Sequence, residues 1–346
     1  MLLSDQILYV SKTTFRGIKL SAKYDIVGIG NAIVDVLAQT EDSFIDKHKL
    51  TKGGMALIDA SKAEELYSIL NNVSEVSGGS AANTCTVLSS LGGNSAFLGK
   101  TGKDQLGKIF KKDISDNGVY FEESGFSSTP TARCFVFVTP DAERTMQTFL
   151  GACADMTPDD IDQNLIERSA VTYIEGYLWD TPKAREAILL AAGIASSAKK
   201  IVSLSLSDSF CVDRHRDSFI DFIKNHVDLL FANEDEIKAL FKLSSIKDAL
   251  NRCREICEIS AITRGGMGSI VNCKNETYDI EAEPVKNILD TTGAGDAYAG
   301  GFIRGLALQK HPSICGKIGS VAASEIISHF GARPEKDLYT LIKGLI

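Results

Sequence analysis

Residues 290–296 read Asp-Thr-Thr-Gly-Ala-Gly-Asp, and apolar residues recur after them at a spacing that predicts a helix over residues 296–309. The two glycines of this stretch therefore lie where a helix begins. A helix start presents unpaired backbone N–H groups and the positive end of the helix dipole, which together hold an anion. The stretch thus predicts an anion-binding site at the start of this helix.

Asp296 is unexpected in such a site, because a carboxylate repels a phosphate group. It fits if Asp296 takes the proton of a hydroxyl group while the backbone of Gly293, Ala294 and Gly295 holds the phosphoryl group in transfer. The alternative is a glycine-rich turn in which Asp296 only caps the helix. These residues alone leave both interpretations open.

A second glycine cluster, Ser-Gly-Gly-Ser-Ala-Ala-Asn at residues 77–83, precedes a predicted helix over residues 81–91. Its two glycines would let a small ligand lie against the backbone. Asn83, one turn into the helix, would point at the same place, and Ser80 is the expected N-cap. This cluster therefore predicts a second helix start at which a ligand can bind, similar to the one at residues 290–296.

The chain of 346 residues is 44% hydrophobic and 24% charged, with a net charge of −8. These values are typical of a globular protein of one large domain with an appendage, or of two domains, and they argue against a nucleic-acid partner. No apolar run in the sequence reaches the roughly 18 residues that a membrane span needs. The eight cysteines are scattered and the five histidines show no metal-ligand spacing, so we expect reduced thiols and a cytoplasmic location.

Residues 1–23 lack the long apolar core of a secretory signal, and we expect an extension that forms a short extra strand or a loose tail, with a transit peptide as the alternative. Residues 24–30 form the first predicted strand, which ends in glycine and is followed by Asn31 and Asp35. Its Gly-x-Gly ending invites a dinucleotide-binding interpretation. Because Ile33 stands in place of the third glycine, we reject that interpretation.

Residues 36–60 and 119–151 read as extended strands, and residues 134–138 with the turn after them predict a hairpin. Arg144 lies near the turn of this hairpin, so it is a candidate contact for a phosphate group or a transition state. A solvated hairpin arginine is the alternative.

From residue 155 onward, predicted strands and helices alternate, which is typical of a parallel sheet with helices on its faces. Ligands of such folds gather beyond the carboxyl ends of the strands. Asn233 and Glu236 lie there, three residues apart at a helix start, so they can share one side and hold a hydrated magnesium ion.

The two glycine clusters, in this order and separation, resemble those of the ribokinase/PfkB family of small-molecule kinases, and Asn233 and Glu236 match the family's Asn-x-x-Glu motif. The resemblance covers nearly everything from Tyr24 to about Gly331. It implies a doubly wound α/β fold with a mostly parallel sheet, helices on both faces and a small β-sheet lid. The expected large domain comprises residues 24–35, 61–118 and 152–346, and the expected lid comprises residues 36–60 and 119–151.

The resemblance also implies the reaction, which is transfer of the γ-phosphoryl group of ATP to an alcohol with Mg²⁺ present. Asp296 would be the general base, the backbone from Gly293 to Asp296 would form the anion hole, and Arg144 would assist the transfer. Residues implied to face the nucleotide or magnesium are Asn233, Glu236 (through water), Thr263, Gly265 and Gly268. Residues implied to face the substrate are Asn31, Asp35, Gly78, Gly79, Ser80 and Asn83. Asp290 and Thr292 match positions that hold a monovalent cation, such as K⁺, in some members.

Asn31 and Asp35 are similar to the residues that hold ribose in the adenosine-kinase branch of the family. Residues 205–210 resemble that branch's Asn-Leu-Ser-x-x-Phe segment but depart from it in register and in having Asp208. The implied activity is phosphorylation of the primary hydroxyl of a ribose-bearing substrate, chiefly adenosine to AMP in purine salvage. A free-sugar kinase and a non-catalytic nucleoside-binding protein are the alternatives. The expected partners are a nucleoside or sugar and ATP, with no nucleic acid or membrane, and we expect a monomer.

Overall fold

Two β-sheets organise the part of the chain that the computed structural model describes, which is residues 22–71, 73–121, 127–141 and 143–346. The predicted extension at residues 1–23 lies outside these ranges except for its last two residues. In chain order the strands are β1 Tyr24–Ile29, β2 Ile33–Gln39, β3 Met55–Leu57, β4 Ser74–Gly78, β5 Ser95–Leu98, β6 Val119–Phe121, β7 Ala132–Val138, β8 Arg144–Phe149, β9 Ser169–Glu175, β10 Ile201–Ser205, β11 Leu229–Asn233, β12 Ile259–Thr263, β13 Ser269–Cys273 and β14 Glu276–Ile280.

The α-helices of the described residues lie between these strands and after the last of them. They are Asp42–Lys47, Ala60–Ile69, Ser80–Ser90, Gln105–Asp116, Gln163–Glu167, Pro182–Ser197, Ser209–His226, Glu234–Phe241, Ile246–Ile256, Ala294–Ala307, Pro312–Ile326 and Leu338–Ile342. Short 3-10 helices occur at Gly151–Asp155, Pro158–Asp160, Gly176–Asp180 and Gly265–Met267. None of the helices in the described ranges is long and apolar enough to cross a bilayer.

The larger sheet has nine strands in the order β14-β13-β12-β11-β10-β9-β1-β5-β6. Neighbouring strands from β12 to β6 run parallel, whereas β13 and β14 form an antiparallel hairpin at one edge. The parallel strands are apolar because helices cover both faces of the sheet and exclude water. Strand β9, for example, is buried along its whole length. The regular alternation predicted from residue 155 onward is therefore confirmed.

The larger sheet divides the protein interior into two apolar cores, because successive side chains of a strand point to opposite faces. Val27 of β1 joins the core that includes helix Ser209–His226. Ile26 of β1 joins the other core, which includes helices Ser80–Ser90 and Ala294–Ala307. All eight cysteines are buried as free thiols. The two helices that begin at the glycine clusters thus share one face of the sheet.

The smaller sheet has five strands in the order β3-β8-β7-β2-β4, and the predicted hairpin forms as β7 and β8. Phe135 and Phe137 of β7 are fully buried against helices Asp42–Lys47 and Ala60–Ile69. Our expectation that residues 36–60 contain only extended strands was wrong, since the first of these helices lies within them. Its six residues bury only Ile45, which is too little apolar repetition to give a helical pattern in the sequence.

Two segments pair with a different sheet from the one that the sequence suggested. Ser74–Gly78, expected in the large domain, pairs antiparallel with β2 in the smaller sheet. Val119–Phe121, expected in the lid, pairs parallel with β5 at the edge of the larger sheet. Local sequence pattern predicts that a segment is a strand but does not specify its partner. The division of the chain into a large domain and a lid remains a proposal.

The chain crosses between the sheets at short glycine-containing segments that lie against each other. Gly79 joins β4 to helix Ser80–Ser90 and has a φ of 95°. A Cβ atom on Gly79 would overlap the carbonyl oxygen of Asn31, which lies in the connection from β1 to β2. Both the positive φ and the close approach therefore require glycine at this position.

We predict that Gly79→Ala lowers the free energy of unfolding by about 1–3 kcal/mol, because alanine is strained at this φ and clashes with Asn31. Urea unfolding followed by circular dichroism measures the change. The matched control is Gly193→Ala in helix Pro182–Ser197, where a Cβ atom meets nothing within 4 Å. That control should raise stability by about 0.5–1 kcal/mol. Equal effects of the two substitutions would contradict the prediction.

Candidate active site

The two glycine clusters meet at Asp296, although they are far apart in the sequence. Ser80 donates a hydrogen bond from its hydroxyl to Oδ1 of Asp296 at 2.6 Å. Asn83 donates from Nδ2 to Oδ2 of the same carboxylate at 2.9 Å. The two helices can approach this closely because Gly300 has no side chain, since a Cβ atom there would lie 2.8 Å from the carbonyl oxygen of Thr84. The structure therefore brings Ser80, Asn83 and Asp296 into one cluster.

The helix that carries Asp296 is Ala294–Ala307, and its N-cap is Gly293 in the left-handed conformation with a φ of 77°. A Cβ atom on Gly293 would lie 2.5 Å from that of Ala332, so glycine is required here. A Cβ atom on Gly295 would meet nothing within 4 Å, so this side of the helix start is open. First-turn N–H groups have no acceptor within their own helix, and an anion can bind there.

Ser80 is not the N-cap that the sequence suggested. The N-cap of helix Ser80–Ser90 is Gly79, which has no side chain to cap with. The hydroxyl of Ser80 instead points to Asp296 on the neighbouring helix. The local pattern is the same for a capping serine and for a serine that bonds a distant carboxylate, so sequence alone does not separate them.

The pKa of Asp296 is raised above its ordinary value, and desolvation is the largest cause. The hydrogen bonds from Ser80 and Asn83 and the positive charge of Arg333 act in the opposite direction and favour the ionised carboxylate. Asp296 is therefore more basic than a carboxylate in water and yet has donors that stabilise its charge. This combination suits a group that accepts a proton from a hydroxyl group.

Asp35 lies in β2 of the smaller sheet, and Gly78 of β4 borders its carboxylate. A Cβ atom on Gly78 would overlap the carboxylate of Asp35, so any larger residue would displace it. Desolvation raises the pKa of Asp35 to about 6, against the positive charges of Arg333 and Arg144. Asp296 also acts on Asp35 through its negative charge. The two carboxylates thus belong to one electrostatic cluster.

Asn31 lies in the crossing between the sheets, where its amide group is bonded to Glu175. Its Nδ2 donates to Oε1 of Glu175 at 2.6 Å, and its backbone N–H donates to Oε2 at 3.4 Å. The backbone N–H of Ala81, at the start of helix Ser80–Ser90, donates to the same Oε2 at 3.0 Å. Glu175, which is 1% exposed, therefore ties the end of β9 to this crossing and to the helix start. One N–H of the Asn31 amide is thus engaged within the protein.

Sequence reasoning assigned no role to Glu175 or Arg333. A carboxylate at the end of the apolar strand β9 was a usable signal for Glu175, because ligands gather beyond such strand ends. The side chain of Arg333 reaches from the C-terminal segment to the second glycine cluster. It donates to the carbonyl oxygens of Ser77 and Ala82, at 2.7 Å and 3.1 Å, and to the hydroxyl of Thr86. No local pattern in the sequence pointed to Arg333.

Arg144 lies at the start of β8 in the smaller sheet and extends to the loop of the larger sheet that precedes Gly293. Its Nη1 donates to Oγ1 of Thr292 at 2.9 Å. Its Nη2 lies 2.6 Å from Oδ2 of Asp290, and both side chains are largely buried, at 14% and 4% exposure. The three residues that we proposed as a phosphate contact and a cation site thus bind one another.

Asn233 and Glu236 form a capping box at the start of helix Glu234–Phe241. Asn233 donates from Nδ2 and from its backbone N–H to the two carboxylate oxygens of Glu236, at 2.6 Å and 2.9 Å. Desolvation raises the pKa of the Glu236 carboxyl to about 7. Each carboxylate oxygen retains a second lone pair. The carboxylate of Glu236 is buried, whereas Asn233 beside it is exposed to solvent. Oxygen ligands in such a position fit a magnesium ion that keeps its water molecules.

Thr263 is the last residue of β12. The turn that follows it, at residues 264–268, packs against the end of β14 and the residues after it. Gly268 has a φ of 80°, and a Cβ atom there would overlap the carbonyl oxygen of Ile280. A Cβ atom on Gly265 would meet nothing within 4 Å, so that part of the turn is open. The segment after β14 continues into a cavity of about 490 Å³ whose walls include residues 283–287 and helix Pro312–Ile326.

A sequence profile described as the pfkB family carbohydrate kinase matches residues 47–337, and the chain therefore belongs to this family. Two solved structures are each 42% identical to it and cover 94% of this chain and 100% of their own. They are a probable sugar kinase from Rhizobium etli CFN 42, with a TM-score of 0.88, and an adenosine kinase from Sinorhizobium meliloti, with a TM-score of 0.87. Adenosine kinase 2 of Arabidopsis thaliana is 28% identical over 349 residues, which is 91% of this chain and 98% of that protein.

These similarities confirm the predicted family and the predicted α/β fold class. The chain is a phosphotransferase whose acceptor is a hydroxyl group. The similarity to this family and to these relatives supports transfer of a phosphoryl group from ATP to a nucleoside or a sugar.

Glu175 should make the stability of the protein depend on pH. Desolvation raises the pKa of its carboxyl from 4.5 to about 7, so between these values the folded protein keeps a proton that the unfolded chain has lost. The free energy of unfolding should therefore fall as pH rises through this window and level off above it. We predict that Glu175→Gln removes this component, so that wild type loses stability relative to the variant as pH rises from 5 to about 7.

Urea unfolding of both proteins at a series of pH values measures this difference. The control is Glu186→Gln on the exposed face of helix Pro182–Ser197, which reports the general effect of replacing a glutamate. A difference between wild type and Glu175→Gln that stays constant with pH would show that Glu175 does not titrate in this way.

Proposed function

We propose that the chain is an adenosine kinase, which transfers the γ-phosphoryl group of ATP to the primary ribose hydroxyl of adenosine. The observation that carries the proposal is the carboxylate of Asp296, held by Ser80 and Asn83 at the meeting point of two helix starts. The similarity to adenosine kinases of Sinorhizobium meliloti and Arabidopsis thaliana supports adenosine as the acceptor. Phosphorylation of a free sugar at the same site is the second candidate function.

In this proposal Asp296 is the general base. Ser80 and Asn83 each donate to one of its oxygens, so the carboxylate is fixed in orientation before the acceptor arrives. Each oxygen keeps a lone pair that can accept the proton of a hydroxyl group. Desolvation raises the pKa of Asp296, which makes it a better base than an exposed aspartate.

The anion hole is the backbone from Gly293 to Asp296. The N–H of Ala294 already donates to the carbonyl oxygen of Thr291, so we assign the N–H groups of Gly295 and Asp296 to the anion. A Cβ atom on Gly295 would meet nothing within 4 Å, which leaves this part of the helix start open. Donors that are fixed before the reaction stabilise the charge of the transferring phosphoryl group without reorganising. The fixed dipole of a 14-residue helix adds to this effect.

The acceptor pocket lies between the sheets. Asp35 faces Gly78, and we assign it to the ribose hydroxyls together with the free part of the Asn31 amide. Gly79 leaves room for the sugar against the backbone. The nearby carboxylates of Asp35 and Asp296 favour an uncharged acceptor over a sugar phosphate, because like charges repel.

We assign the nucleotide to the carboxyl ends of β11 and β12, with Thr263, Gly265 and Gly268 against it. The cavity of about 490 Å³ beside residues 283–287 offers space for its base. Asn233 and Glu236 would hold Mg²⁺ through water. When bound, the ion supplies positive charge that neutralises the phosphate oxygens during transfer.

A free-sugar kinase is supported by one structural feature and one similarity. Residues 205–210 depart from the adenosine-kinase pattern in register and in having Asp208, and within them Ser207 has a φ of 72° and Phe210 is 73% exposed. The probable sugar kinase of Rhizobium etli CFN 42 is as similar to this chain as the Sinorhizobium meliloti adenosine kinase, at 42% identity. The acceptor therefore has to be tested directly.

We predict that Asp296→Asn lowers kcat by about 10²- to 10⁴-fold, because an amide cannot accept the proton of the acceptor hydroxyl. Steady-state measurement of ADP release gives kcat, and circular dichroism checks the fold. The matched control is Asp217→Asn, an exposed aspartate of helix Ser209–His226, which should keep wild-type turnover. A folded Asp296→Asn enzyme with wild-type turnover would remove Asp296 from the role of base.

We predict that adenosine stimulates ADP release more strongly than inosine, guanosine, ribose, fructose or fructose 6-phosphate. Coupled measurement with ATP and Mg²⁺ at equal acceptor concentrations gives kcat/KM for each compound. Preference for ribose or fructose would keep the mechanism and replace adenosine as the acceptor. Binding of adenosine without any ADP release would favour a non-catalytic nucleoside-binding protein.

A further inference from the structure

Asp290 is a buried carboxylate with contacts from three separate parts of the chain. Its Oδ1 accepts a hydrogen bond from the backbone N–H of Thr292 at 3.0 Å, and its Oδ2 accepts one from that of Gly331 at 2.8 Å. The guanidinium of Arg144, from the smaller sheet, lies against the same Oδ2 at 2.6 Å. A buried carboxylate requires a counter-charge, and among these contacts only Arg144 is charged.

A bound monovalent cation at Asp290 would have to share the carboxylate with this guanidinium. Arg144 also donates to the hydroxyl of Thr292, the second residue that the family resemblance assigns to such a cation. Two positive charges at one buried carboxylate repel each other, because the surroundings screen them poorly. The contacts at Asp290 and Thr292 therefore do not fit a bound K⁺ while Arg144 is present.

We propose that Arg144 is a positioning residue that serves as a built-in cation for the loop of Asp290 and Thr292, and that phosphoryl transfer by this chain needs no bound monovalent cation. The inference rests on the proposed kinase function. The loop leads directly into Gly293, so Arg144 acts on the anion hole by fixing the backbone that precedes it. Because Arg144 belongs to the smaller sheet, the same contact links that sheet to the loop that precedes the helix carrying Asp296.

The test compares wild type with Arg144→Ala in K⁺, Na⁺ and tetramethylammonium chloride at fixed ionic strength. Wild type should have equal kcat and equal Tm in the three salts. Arg144→Ala should lose about 100-fold in kcat in tetramethylammonium, which is typical of the loss of one electrostatic contact in an anion hole. K⁺ or added guanidinium should restore part of this loss, and K⁺ should raise the Tm of the variant but not that of wild type.

Two further variants keep the test decisive. Arg144→Lys retains a positive charge and should remain independent of K⁺, so it answers the question if Arg144→Ala does not fold. Arg144→Ala combined with Asp290→Asn should lose the K⁺ response, because the carboxylate that would bind the ion is gone. The control is Arg252→Ala on the exposed face of helix Ile246–Ile256, which should behave as wild type in every salt.

The proposal is overturned if wild type requires K⁺ for activity or gains Tm in K⁺ alone. It is also overturned if folded Arg144→Ala responds neither to K⁺ nor to guanidinium. The Tm measurements need no acceptor, so they decide this proposal even if adenosine proves to be the wrong substrate. Failure of the proposed function would appear instead as wild-type enzyme that releases no ADP with any acceptor.

Discussion

The carboxylate of Asp296, bonded at once by Ser80 and Asn83, is the contact on which the rest of the site depends. It requires two helices to begin at the same point and to pack closely, which Gly300 allows. One face of the larger sheet supports both helices, so their starts are fixed relative to each other. Everything assigned to the reaction is positioned relative to this contact: the anion hole follows one helix start, and the acceptor pocket borders the other.

One arginine offsets the negative charges of two carboxylates near this contact. Asp35 and Asp296 are carboxylates in a desolvated region, and Arg333 lies close enough to act on both. Its own hydrogen bonds go to neutral oxygens of the second glycine cluster, so its charge remains available to the carboxylates. Because the effective dielectric constant is low in this region, the charge of each of these three side chains depends strongly on the other two. Electrostatics and helix packing therefore determine the site together.

Sequence alone predicted the parts of this molecule that depend on local pattern. Alternating strands and helices from residue 155 onward gave the parallel sheet, and two glycine clusters gave the helix starts. It did not predict that Ser74–Gly78 pairs in the smaller sheet, because partner choice depends on distant strands. It gave Ser80 the wrong local role, and it missed Glu175 and Arg333, whose contacts join segments far apart in the chain. The site's residue types were predictable, but their mutual contacts were not.

The distance along the chain between Ser80 and Asp296, 216 residues, has a consequence for synthesis on the ribosome. Every strand of the smaller sheet lies between residues 33 and 149, so its sequence is complete long before Asp296 emerges. The glycine cluster at residues 77–83 is therefore synthesised long before its partner helix, Ala294–Ala307, and most of the larger sheet is translated between them. Contacts of such long range form slowly, since the closure of large loops costs chain entropy. A nascent chain of this protein therefore forms the contact between Ser80 and Asp296 among the last events of folding.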